Sequence, residues 1–119
     1  MSHRALNEYQ FEVKHWPHRG ITALAKDGDR IVGQLHTHGS TGYDPDVGAR
    51  TRAGEVGYLD VDPGHQRRGI ATSLWQQAHD YAGKNDLAKP VHSKDRTADG
   101  DAWAQKVGGS LPKLKKRTY

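Results

Sequence analysis

The chain of 119 residues contains no cysteine and little apolar material. Without cysteine it can have no disulfide framework, no thiolate zinc site and no cysteine nucleophile. Only 34% of its residues are hydrophobic, and no run approaches the length of a membrane-spanning helix. Residues 1–10 lack the apolar run of a signal peptide. We therefore expect one small domain, residues 1–119, with no membrane contact and the cytoplasm as its default location.

Basic residues outnumber acidic ones, and the net charge is +4. Such a surface favours anionic partners, from phosphorylated small molecules to nucleic acids and acidic proteins, although solubility alone also requires some charge. Four of the basic residues lie in the tail 111–119. That tail could recruit a nucleic acid or an acidic protein, and a solvated end or a last strand with charged edges would explain it equally.

Hydrophobic periodicity divides the chain into strands followed by helices. Residues 9–14 alternate apolar and polar side chains, which is typical of a half-buried strand, and 21–25 and 30–36 are further strand candidates around a turn at Gly28. Residues 38–54 are rich in Gly, Ser, Thr, Asp and Pro, which predicts a long mobile loop, either functional or merely disordered.

The second half begins with residues 55–61, which we interpret as the central strand. Residues 69–83 then carry apolar side chains at helical spacing, and this is the clearest amphipathic helix of the sequence. Residues 91–93 are a short strand at best. Thr97 is a candidate N-cap for a last helix that passes through Trp103 and ends at Gly108.

The segment from Gln66 to Ala71 carries the chemistry. A basic loop containing a glycine follows a strand and leads directly into a helix. The first N–H groups of a helix lack intrahelical partners, the helix dipole adds partial positive charge, and Gly69 leaves the backbone accessible. Arg67 and Arg68 add charged donors. The pattern predicts a phosphate or pyrophosphate site that is neither a P-loop nor a dinucleotide fingerprint. A solvated basic turn that merely caps the helix is the alternative.

Together with Leu59, Val61 and Pro63, this loop resembles the coenzyme A motif of the GNAT N-acetyltransferase superfamily. The resemblance covers residues 55–82 and continues weakly over 91–109. It implies an α/β (α+β) fold with a mixed, mostly antiparallel twisted sheet, flanked by few helices and opened by a cleft. It also implies an enzyme that transfers an acetyl group from acetyl-CoA directly to a primary amine, with no metal ion.

The resemblance also implies roles for individual residues. Glu55 would be the general base, with Asp60 or His36 as other options for the proton. Thr72 could add a hydroxyl to the phosphate site, and Ser93 and Thr97 fall where the family places an asparagine against the pantetheine. The strand would bind pantetheine and thioester through Leu59, Asp60 and Val61, and the loop would hold the pyrophosphate through Gln66, Arg67, Arg68, Gly69, Ile70 and Ala71.

Two departures from the family pattern matter for function. Ala104 stands where the family often has a tyrosine that protonates the leaving thiolate, so Ser93 or Tyr58 would have to supply that proton. The family's usual two helices between its first strands are missing, because only residues 16–20 separate those strands here. Their absence predicts an open acceptor face, suited to a macromolecular acceptor or covered by a second subunit in a homodimer.

Two other function classes stay open at this point. One is a domain that binds coenzyme A but has lost catalysis, which the missing tyrosine favours. The other is a basic nucleic-acid- or protein-binding module that uses the loop and the tail.

Overall fold

The computed structural model describes residues 6–93, 96 and 98–108, and it consists of an antiparallel sheet with one long helix packed on it. In chain order the elements are a 3-10 turn Leu6–Glu8, β1 Gln10–Trp16, β2 Gly20–Asp27, β3 Arg30–Thr37, β4 Gly42–Asp44, β5 Ala49–Thr51, β6 Val56–Val61, a second 3-10 turn Pro63–His65, α1 Ile70–Lys84 and α2 Ala98–Val107. The four longer strands and both helices are confirmed. The tail 111–119 and Thr97 lie outside the described residues.

The main sheet has the order β1-β2-β3-β6, and all its neighbours run antiparallel. A short turn joins β1 directly to β2, so the expected absence of two intervening helices is confirmed. Gly28 has a φ of +64° in the turn between β2 and β3, as the hairpin pattern predicts. The mixed α/β fold inferred from the sequence is therefore the fold of the chain.

One face of the sheet is covered by α1, and none of the described elements covers the other, which we call the open face. The buried stripe of α1 packs on the face formed by alternate residues of β1, β2, β3 and β6, and its members are Ile70, Leu74, Ala78 and Ala82. Gly33 permits this close packing, because a Cβ there would lie 3.0 Å from the Ile70 side chain. On the open face, Trp16 and Tyr58 are each 48% exposed.

The segment 38–54 differs from the predicted irregular loop, because it contains the hairpin of β4 and β5. An Asp-Pro-Asp turn closes this hairpin, and the Asp44 carboxylate accepts a hydrogen bond from the Asp46 N–H at 2.9 Å. The hydroxyl of the buried Thr51 donates to the Ser40 carbonyl. Composition hid the hairpin, since most of its side chains are polar or small, its larger apolar ones, Tyr43 and Val47, are exposed, and local turn hydrogen bonds hold it.

The interpretation of residues 55–61 as the central strand is wrong, because β2 and β3 are the inner strands. Within the described residues, β6 touches a further strand only at the parallel bridge between Glu55 and Val91. Gly54 allows that approach: its φ is +84°, and a Cβ there would lie 2.3 Å from the Lys89 carbonyl oxygen. Beyond this bridge, the outer edge of β6 borders a space that we call the gap, because no other described strand pairs with it.

None of the described helices is long and apolar enough to cross a membrane.

Candidate functional site

The outer edge of β6 offers backbone groups to the gap. Gly57 is an extra residue, since Tyr58 pairs with His36 whereas Val56 pairs with Thr37, so β6 carries a bulge there. The Asp62 N–H turns inward and donates to the Val32 carbonyl. In an antiparallel pair, successive residues of a strand direct their N–H and C=O groups alternately toward the partner strand and away from it. Since Asp62 bonds to β3, Asp60 also faces β3. The N–H and C=O of Leu59 therefore point outward, past the edge of the sheet.

The loop after β6 exposes backbone donors at the start of α1. Arg67 and Gly69 both have left-handed φ angles, +63° and +81°. Gly69 is the N-cap of α1, no side chain caps the helix there, and no acidic residue lies in its first turn. The first intrahelical bond runs from the Ser73 N–H to the Gly69 carbonyl. The N–H groups before Ser73 therefore remain available for an anion.

The side chains of the loop have different orientations. Gln66 donates from its amide to the Val61 carbonyl at 2.9 Å, so it holds the loop against the end of β6. Arg67 is exposed, whereas Arg68 is half-buried and donates to the Tyr9 hydroxyl at 3.4 Å. Ile70 is buried and Ala71 half-buried, so these two could reach an anion only through their backbone.

Three aromatic rings, which we call the aromatic cluster, fasten α2 and the 91–93 segment to α1. His92 is 2% exposed and stacks on Trp75 with centroids 4.2 Å apart, and Trp103 meets both rings edge-on. The Trp103 indole donates to the Thr72 hydroxyl at 3.1 Å. Because the Thr72 hydroxyl accepts this bond, its own hydrogen is still available to be donated. The cluster therefore fixes the position of α2 relative to the first turns of α1.

The residues predicted to move protons lie on β6 and on the segment bridged to it. Glu55 is half-buried at the bridge, and its backbone carbonyl accepts from the His38 N–H. Tyr58 projects onto the open face, where its ring stacks on His36 and its hydroxyl donates to Gln34. Ser93 lies on the other side of the bridge, directly after His92. Asp60 is exposed on the open face opposite Gln34.

His36 lies on the open face beside the bulge. Its Nδ1 is 2.9 Å from the Thr22 hydroxyl. Burial, and then the neighbouring His38, lower the pKa of the His36 imidazole, and a backbone hydrogen bond with Arg19 partly offsets this. A lowered pKa keeps the ring neutral, which suits a proton acceptor, but its two hydrogen bonds also tie the turn before β2 to the sheet.

Tyr9 and His65 belong to this site, and sequence analysis missed them. The Tyr9 hydroxyl lies 2.7 Å from His65 Nδ1 and also meets Arg68. Arg30 pairs with Asp62 at 3.1 Å and so holds the turn before His65. The alternating pattern around Tyr9 indicated only a core position, and nothing in the sequence linked it to residues nearly sixty positions away.

The comparison with known families agrees with this geometry. The model described as "Acetyltransferase (GNAT) family" matches residues 2–106. The chain belongs to the GNAT acetyltransferase family. The family uses acetyl-CoA as its donor.

A solved structure shows the same fold. It is the ribosomal-protein-alanine N-acetyltransferase from Brucella melitensis biovar Abortus 2308, with a TM-score of 0.61 and 22% sequence identity over 85% of this chain and 70% of that chain. At this identity the likeness concerns the fold alone. No curated protein sequence matches the chain significantly.

Proposed function

We propose that this GNAT protein is an N-acetyltransferase that moves an acetyl group from acetyl-CoA to a primary amine through a ternary complex. The observation that carries the proposal is the start of α1, which has no cap and no acidic residue in its first turn. Arg68 stands beside it, and the outward edge of β6 leads to it. Backbone donors, a helix dipole and guanidinium groups together suit a pyrophosphate.

The proposed reaction forms one C–N bond and breaks one C–S bond. Glu55, directly or through a water that it orients, takes a proton from the acceptor ammonium group, and the free amine attacks the thioester carbonyl. The outward N–H of Leu59 stabilises the developing oxyanion. The thiolate then leaves and receives a proton from Ser93 or Tyr58, and the nitrogen, which has become the amide, loses its second proton to that hydroxyl oxygen through solvent. The acceptor approaches over the open face, which suits an amine on a macromolecule, unless a second subunit covers that face.

A second candidate function, coenzyme A binding without transfer, is favoured by Ala104. This residue stands where the family often has its acidic tyrosine, and it is fully buried. A methyl group can neither donate nor accept a proton.

Titration calorimetry with acetyl-CoA, followed by a thiol-release screen over amines, tests the proposal. We expect binding in the micromolar range, and Arg68→Ala should weaken it by roughly tenfold, as the loss of one charge-assisted contact implies. The matched control is Arg50→Ala, which removes an exposed guanidinium from β5.

The screen covers polyamines, aminoglycosides, amino acids, peptides and nucleic acids. Release of free thiol with an amine supports transfer, whereas binding without any release supports the second candidate. Absence of acetyl-CoA binding at high micromolar concentration would contradict both.

A further inference from the structure

The N-terminal turn of the chain supports the loop after β6 from beneath. A Cβ placed on Gly69 would lie 3.7 Å from the Leu6 side chain, so this turn packs directly against the start of α1. Tyr9 follows the turn, and its N–H donates to the Leu6 carbonyl. Its side chain is 5% exposed and belongs to the core cluster that includes Ile70.

The hydroxyl of Tyr9 joins two residues of the loop region. It lies 2.7 Å from His65 Nδ1 and 3.4 Å from Arg68 Nη1. A guanidinium can only donate, so the phenolic oxygen accepts from Arg68 and its own hydrogen is available to His65. With the phenol as donor, His65 accepts through Nδ1 and its ring proton lies on Nε2, although the role of each partner depends on the tautomer. The His65 backbone is itself anchored, because its N–H donates to the Asp62 carbonyl at 2.8 Å.

We propose that Tyr9 is a positioning residue for the cofactor site, which holds the Arg68 guanidinium in the orientation that meets the pyrophosphate. This inference rests on the proposed function. A free arginine side chain samples many rotamers, and fixing it before binding lowers the entropy lost when the anion arrives. Tyr9 suits that role because its ring is fixed in the core and its hydroxyl is fixed by the hydrogen bond with His65, so the oxygen that Arg68 contacts has a defined position.

Tyr9→Phe tests the inference because it keeps the buried ring and removes only the hydroxyl. We expect the Kd of coenzyme A, measured by titration calorimetry, to rise by about three- to tenfold. In an Arg68→Ala background the same change should have almost no effect, because Tyr9 acts through that guanidinium. Pantetheine, which lacks the pyrophosphate, should bind the Tyr9→Phe protein and the wild type equally well.

Two further variants complete the experiment. Tyr81→Phe removes the hydroxyl of a half-buried tyrosine on α1 that contacts His15, and it should leave coenzyme A binding unchanged. His65→Ala removes the second partner of the Tyr9 hydroxyl, and it should weaken binding by a smaller factor that also disappears in the Arg68→Ala background. His65→Ala provides the test if Tyr9→Phe does not fold, which thermal melting will show.

Wild-type affinity in Tyr9→Phe would overturn the inference while leaving the proposed function intact. An equal loss in both backgrounds, or an equal loss of pantetheine affinity, would also overturn it, because Tyr9 would then support the fold generally. Failure of the wild type to bind coenzyme A would contradict the proposed function itself, and with it this inference.

Discussion

At the scale of single residues, His36 shows how the fold changes chemistry that the sequence only suggests. Sequence analysis named it as an auxiliary base because an imidazole titrates near neutrality. The structure adds a hydrogen bond to Thr22, a stacked Tyr58 and a neighbouring His38. These contacts hold His36 in the side-chain packing of the open face, and this structural role is separate from any role as a base toward an acceptor amine.

The lowered pKa of His36 predicts a pH dependence of stability. The folded chain binds this proton less readily than the unfolded chain, whose histidine has the ordinary pKa of 6.5. The stabilisation is therefore fully present above that value and is lost as the pH falls through the lower folded-state pKa. Urea midpoints at about pH 7.5 and pH 5.5 should differ less for His36→Gln than for the wild type.

The matched control is His15→Gln, which replaces an exposed histidine at the end of β1. It should retain the full pH dependence. If the urea midpoint fell by the same amount between the two pH values in His36→Gln and in the wild type, groups other than His36 would cause the pH dependence of stability.

At the scale of elements, the junction between the loop and α1 combines folding and binding requirements in Gly69. Its φ of +81° lies in the left-handed region, where a side chain costs about 1–2 kcal/mol. The same backbone conformation sets the direction of the first N–H groups of α1, which are the donors of the proposed anion site.

Gly69→Ala should therefore lower both stability and cofactor affinity. We expect the Tm to fall by roughly 4–8 °C per kcal/mol lost, and acetyl-CoA binding to weaken by about tenfold because relief of the left-handed φ would shift the backbone donors at the start of α1. Differential scanning fluorimetry and calorimetry would measure the two effects.

Gly64→Ala is the control in the same turn, because Gly64 has no left-handed φ and a Cβ there would meet no atom within 4 Å. It should change neither quantity appreciably. If Gly69→Ala bound acetyl-CoA as tightly as Gly64→Ala, the helix start would not be the anion site.

The aromatic cluster illustrates a different kind of element contact. Trp75 lies beside the apolar stripe of α1, and it is half-buried against His92. The Nε2 of His92 lies 2.8 Å from the Gly108 carbonyl. The ring thus links the 91–93 segment to the end of α2, which no local pattern could reveal.

At the scale of the whole molecule, the net charge of +4 should assist the capture of a polyanionic donor. Such attraction is screened by salt, so the Kd of acetyl-CoA should rise by roughly fivefold between about 50 and 500 mM NaCl. The double variant Arg67→Gln/Arg68→Gln should bind more weakly and show a smaller salt dependence. Calorimetry at each salt concentration measures both.

Arg50→Gln serves as the control for general charge, since it lies on the exposed hairpin strand β5. It should keep most of the wild-type salt dependence. An unchanged salt dependence in the double variant would mean that the loop arginines do not face the cofactor phosphates.

The amino-acid sequence by itself determined the strands, the main helix, the missing pair of helices and the loop from Gln66 to Ala71. These features rest on local rules: side-chain alternation, helical spacing, and a glycine where a strand meets a helix. Each can be recognised within a window of fifteen residues. The same local signals indicated the family through the order and spacing of the loop residues.

Only the tertiary structure decided the rest. It moved β6 to the outside of the described sheet, gave the 38–54 segment a hairpin, and joined Tyr9 to Arg68 across 59 positions. Contacts between distant residues depend on how whole elements pack, and packing leaves no periodic trace in the chain. The loop between β6 and α1 was therefore recognisable from the sequence as a candidate cofactor site, whereas the residues that support it were not.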